Sequence, residues 1–164
     1  AALPKRAEPR GAAGAGANLA FACDSILASD KAKSIQSFAK VGLIPDAGGT
    51  WSLTHLLGPA RAKAVAMTGE PISAQQAEAW GLIWKAMPAE NLMATARDLA
   101  QQLSEGPTLG LAHMKKAIDA APMNTFDDQL ELEAQYQKIC GASEDYAEGV
   151  SAFLNKRPPV FQGK

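Results

Sequence analysis

All strand-like sequence in this chain lies before residue 88, and nearly everything after it is helical. That asymmetry limits the possible folds more than any single motif does. SILAS (25–29) is strand-like, SIQSF (34–38) is a weakly patterned strand candidate, and LIWKAM (82–87), short and apolar, reads as a strand or a packed extended segment. A sheet of so few short strands leaves edges unpaired and a face uncovered. The chain therefore reads in one of two ways. Either it is a mainly helical domain, or it is part of an α/β fold whose remaining strands lie outside this sequence. The lack of a starting methionine fits a processed, cut or incomplete chain.

Residues 1–10, with two prolines and no periodicity, read as loop. GAAGAGA (11–17) is small throughout, which lets backbone approach backbone or ligand closely. NLAFACD (18–24) reads as a short helix, with Asp24 fixing its end. Thr50 is placed to cap a helix through WSLTHLLG, striped by Leu53, Leu56 and Leu57 and ended by Gly58-Pro59. A second helix closes at Gly69. Ser73 and Gln76, at capping-box spacing, open a third that stops at Gly81. Four more follow: 89–104, with Leu92, Ala96, Leu99 and Leu103 on one face; Pro107 to Ala120; 125–139; and one after Ser143 through Leu154. The tail KRPPVFQGK reads as extended.

Composition closes off several functions. A net charge of -1 gives no general pull toward nucleic acid or anionic membrane. No run approaches the roughly 18 apolar residues of a membrane span. The alanine–glycine run lacks the greasy side chains of a signal peptide. Cys23 and Cys140 read as buried free thiols, which places the protein in a reducing compartment. No set of His, Cys and acidic residues has metal-ligand spacing, so no metal is expected. His55 and His113 read as helix-surface or packed residues. Trp51, Trp80 and Trp84 read as core or interface aromatics.

GLIPDAGGT (42–50) is the segment with the most chemistry in it. Asp46 sits among turn formers. From local pattern alone it is a turn residue, a helix cap or a proton-transfer base.

Three segments carry a resemblance: GAAGAGANLAFACD (11–24), KVGLIPDAGGTWSLTHLLG (40–58) and TGEPISAQQAEAWGLIWKAM (68–87). In this order and at this spacing the chain, from about Gly11 onward, resembles the crotonase superfamily, the enoyl-CoA hydratase/isomerase family. The resemblance implies an α/β fold, the C-terminal part of a spiral ββα core with a helical C-terminal region. Residues 1–87 would be a partial core with the oxyanion motif and catalytic aspartate. Residues 88–164 would serve trimerisation and CoA contact. Complete members of the family are longer. RAEPRG (6–11) stands where they have an apolar strand leading into an asparagine-glycine turn, so the chain is expected to be N-terminally incomplete.

The resemblance also implies site roles. Ala15 would offer a backbone N–H to the thioester oxyanion. Asp46 falls where isomerases of phenylacetate degradation carry their catalytic aspartate. Its apolar neighbours Ile44, Pro45 and Ala47 suggest partial burial, which would raise its pKa, while a nearby helix N-terminus would oppose that rise. Asn18 and Phe38 occupy the positions of the two glutamates of hydratases, and neither is a carboxylate. With Trp51 they would line the acyl pocket. Phe153 and Lys156 would contact CoA, while Arg157 reads as part of a solvated tail. The implied function is an acyl-CoA isomerase, with one aspartate base, acting on ring-1,2-epoxyphenylacetyl-CoA or on a Δ3/Δ2 enoyl-CoA. The alternatives are an enoyl-CoA hydratase and a truncated, non-catalytic remnant. No cofactor is implied beyond the CoA of the substrate. A cytoplasmic homotrimer or hexamer is expected, without nucleic acid or membrane partners.

Overall fold

The computed structural model describes residues 5–8 and 11–164, with side chains from Gly11 onward. The chain divides into two units between Arg97 and Asp98.

The first unit holds two three-stranded sheets among the described residues. In one, β1 (Lys5–Glu8) and β6 (Lys85–Met87) flank β3 (Ser25–Ser29), all parallel. Ile26 to Ser29 are buried without a break, as expected of a central strand covered on both faces. In the other, β2 (Ala12–Ala13) pairs parallel with β4 (Lys33–Ile35), which pairs antiparallel with β5 (Ile72–Ser73).

Between the strands run α1 (Ala15–Phe21), a 3-10 turn (Ser37–Val41), α2 (Gly49–Thr68) and α3 (Ala74–Ala79). The core joins Ala17 and Phe21 of α1, Ile26 and Ala28 of β3, Leu53, Leu57 and Val65 of α2, and Leu82 and Ile83. Small residues on the inner face of α1 let it pack closely.

The helix α4 (Ala89–Ser104) crosses the division at Asp98. The second unit continues with α5 (Thr108–Ala120), α6 (Phe126–Gly141) and α7 (Glu144–Leu154). Thr125 caps α6 in a reciprocal capping box with Asp128, and Ser143 caps α7 through the Tyr146 N–H. The tail beyond Arg157 has no regular secondary structure but is tied to α7. The buried Asp145 carboxylate accepts the N–H groups of Gln162 at 2.7 Å and Gly163 at 2.8 Å. Arg157 grips Glu148 with two bonds of 2.6 and 2.8 Å.

Several sequence expectations need correction. Lys5–Glu8 is strand, not loop, because the open edge of β3 offers it a ladder; the rest of the segment read as loop lies outside the described residues. SIQSF does not continue as a strand past Ile35, since the chain turns into the 3-10 segment. The helix α1 begins at Ala15, ahead of Asn18. Thr50 does not cap α2; Gly48 holds that position in a left-handed conformation. Gly58, with φ 73° and ψ 162°, does break α2 as expected, just ahead of Pro59. The cysteines are half-buried rather than buried. Trp51 and Trp84 are exposed, and Trp80 lies half-buried under the Arg61 guanidinium.

Candidate active site

The sequence around Asp46 builds a turn that its own residues do not favour. Ala47 and Gly48 both adopt left-handed backbone, with φ 48° and 75°. Glycine takes such angles freely, whereas an alanine there is strained. The turn closes through the Gly49 N–H, which donates to the Asp46 carbonyl at 2.8 Å. A second bond reaches the same carbonyl from α1: Asn18 Nδ2 donates to it at 2.9 Å. Both lone pairs of that oxygen are thereby used.

Asn18 is fully buried, and its other amide atom is satisfied too. Gln36 Nε2 donates to Asn18 Oδ1 at 2.8 Å. The buried Gln36 Oε1 has no partner among the described residues. Leaving an acceptor unmade in a buried place costs about 1–3 kcal/mol. Gly49 makes room for this arrangement: a Cβ there would lie 2.5 Å from Asn18 Cγ.

Ala15 is the first residue of α1, one turn before Asn18 on the same face. Its N–H has no acceptor among the described residues, as is usual for the first amide groups of a helix. Gly14, at φ 53°, turns the chain into α1 and donates its N–H to the Ile35 carbonyl at 2.9 Å. Beneath it lies Phe38, buried, with Cζ 3.6 Å from where a Gly14 Cβ would stand.

Asp46 is exposed, as are Val41, Leu43 and Ile44 before it. The burial expected of its carboxylate is absent because the turn projects from α2 with nothing described over it. Trp51 is exposed as well and stacks on the His55 ring at 3.9 Å.

Of the predicted site residues, the structure brings Asn18 and Asp46 into contact and sets Phe38 beneath Gly14, next to Ala15. Phe153 and Lys156 belong to the other unit and are exposed. Lys156 has φ 51° and ends α7. Its N–H bonds the Phe153 carbonyl at 3.2 Å and the Arg157 N–H bonds the Ala152 carbonyl at 3.0 Å, the Schellman pattern in which glycine usually holds this position. Arg157, read as solvated, is instead paired with Glu148. Sequence reasoning missed Gln36 and Gly49. The signals were a lone amide in an otherwise strand-like SIQSF and the second glycine of a pair.

Among the described residues no group of three or more His, Cys, Asp or Glu could hold a metal ion, and no helix is long and apolar enough to cross a membrane.

Residues 9–164 match the sequence profile of the Enoyl-CoA hydratase/isomerase family. The chain belongs to that family. A member from Escherichia coli, a 1,2-epoxyphenylacetyl-CoA isomerase, is 52% identical over 93% of this chain and 58% of its own length. A probable enoyl-CoA hydratase of Rhodobacter capsulatus is 47% identical over 99% of this chain and 63% of its own length. The crystal structure of an enoyl-CoA hydratase from Polaromonas superposes with a TM-score of 0.89 at 38% identity, covering 93% of this chain and 60% of the other. The fold is therefore the mixed α/β crotonase fold with its helical C-terminal region. The chain spans about three-fifths of the length of the relatives it matches.

Proposed function

We propose that the protein acts on acyl-CoA thioesters by the hydratase/isomerase chemistry of its family, and that its own reaction is isomerisation. One observation carries the choice. Asp46 is the carboxylate on the turn tied to α1, whereas Asn18 and Phe38, at the positions of the hydratase glutamates, are buried and non-acidic. A single base suffices to take a proton from one carbon of an allylic system and return it to another. Negative charge that develops on the thioester oxygen would be met by the Ala15 N–H. In this reading Trp51 and Phe38 border the acyl group, and Phe153 and Lys156 meet the CoA. Residues from about 88 onward carry the contacts of a trimer or hexamer. The Escherichia coli relative supports an epoxide or unsaturated acyl group.

Hydration is the second reading, and names favour it more often: the Rhodobacter capsulatus and Polaromonas relatives are both called enoyl-CoA hydratases. Against it stands the missing pair of carboxylates to position and deprotonate water.

The test offers 3-enoyl-CoA, 2-enoyl-CoA and ring-1,2-epoxyphenylacetyl-CoA to the purified chain, alone and supplied with the amino-terminal segment of the Escherichia coli relative. Interconversion without change of mass is expected. A 3-hydroxyacyl product, one water heavier, would replace isomerisation by hydration. No turnover in either form would leave a non-catalytic member of the family.

A further inference from the structure

We propose that Gln36 is a positioning residue for Asp46, acting through Asn18. The proposal rests on the reading of Asp46 as the base. It begins with a group that cannot be turned around. The Asp46 carbonyl is a backbone acceptor, so Asn18 must present its NH2 end to it, as it does at 2.9 Å. An amide has one donor end and one acceptor end. Asn18 Oδ1 must therefore face the other way, toward a donor. Gln36 Nε2 is that donor, at 2.8 Å.

Both side chains are buried, so water has no ready access to replace either bond. The acceptor end of Gln36 bonds nothing among the described residues. Its donor end is thus what accounts for an amide at this position. A methionine of similar size would fill the space and leave Asn18 free to rotate. A glutamate would present only oxygen at neutral pH, and Asn18 would satisfy it by flipping its NH2 end away from Asp46.

The turn depends on this external hold. With Ala47 at φ 48° the segment does not prefer its own conformation. Once the Asn18 bond is lost, the Gly49-to-Asp46 bond remains as the described hold on the Asp46 carbonyl. The carboxylate then samples directions other than the productive one, which lowers the rate more than it lowers substrate binding.

Hydrogen exchange on the 164-residue chain tests the structural half directly. In the unaltered chain, the side-chain NH2 protons of Asn18 and Gln36 are expected to exchange slowly. Exchange at solvent rates would overturn the proposal without any variant. In Gln36→Met and Gln36→Glu, exchange of the Gly49 amide should rise roughly tenfold, while amides of β3 stay as they were. An unchanged Gly49 amide overturns the proposal. Turnover, in whichever form of the enzyme shows it, should fall roughly tenfold in kcat with KM nearly unchanged. In an Asp46→Asn background the same Gln36 change should leave the residual rate alone. Faster Gly49 exchange with full turnover would mean that Gln36 holds the turn but Asp46 is not the base, which separates the failure of the functional reading from that of the positioning role.

Discussion

Asn18 and Asp46, 28 residues apart in sequence, are joined by a hydrogen bond from a side-chain amide to a backbone carbonyl. The Asp46 carboxylate takes no part in that hold. Turn and charge can therefore be altered separately. Asp46→Asn should leave the fold intact and lower turnover by roughly 10²–10⁴-fold, the usual worth of a general base. Steady-state isomerisation, with calorimetric binding of an unreactive acyl-CoA, measures both effects. A variant that keeps more than about a third of its turnover, against that 10²–10⁴-fold expectation, removes Asp46 from the mechanism.

Gly49→Ala should act on the packing instead. Its Cβ would stand 2.5 Å from Asn18 Cγ inside a packed helix contact. Overpacking of this kind costs about 1–3 kcal/mol. The urea midpoint should fall accordingly. Gly110→Ala in α5 is the control, since its Cβ meets nothing within 4 Å. That change should raise stability by about 0.5–1 kcal/mol through helix propensity. Equal effects from the two glycines would contradict the packing described around Asn18.

Lys156 occupies a left-handed position that suits glycine. Lys156→Gly should therefore raise the melting temperature, relieving about 1 kcal/mol of backbone strain. If the side chain meets the CoA phosphates, the same change should weaken CoA binding by roughly three- to tenfold. Unchanged affinity in isothermal titration would assign Lys156 to the tail alone.

The tail's attachment to α7 should be sensitive to acid. The paired Arg157 guanidinium, together with the Val160 N–H, lowers the Glu148 pKa from 4.5 to about 2. A depressed carboxylate stabilises the folded form above its ordinary pKa and loses that contribution as pH falls through the folded value. The Arg157 pKa is raised by the same contact, so it stays charged throughout. Exchange of the Val160 amide should then be pH-independent, after correction for the intrinsic rate, down to 4.5, and its protection should fade between there and about 2. In Glu148→Gln that acid step should disappear. A step of the same size in the variant would place the titrating group elsewhere.

Local chemistry made much of this molecule legible. Buried apolar runs announced β3, and serine at 73 and 143 announced two helix starts, each realised as a side-chain cap. The Gly58-Pro59 break and the helical second half were equally plain, because propensity and periodicity act within a few residues. The motif order carried the family.

What only the tertiary structure decided depends on distant partners. β1 is strand because β3 has an edge to offer. Asp46 is exposed because nothing described lies over its turn, a fact its apolar neighbours did not foretell. Gln36 looked like one polar residue in a weak strand, and Gly49 like one glycine among several. Their roles depend on Asn18, which reaches both from another helix. A hydrogen bond closed across 28 residues leaves no periodic trace in the sequence. The direction of a buried amide is set by the backbone acceptor it faces, and that facing exists only once the chain has folded.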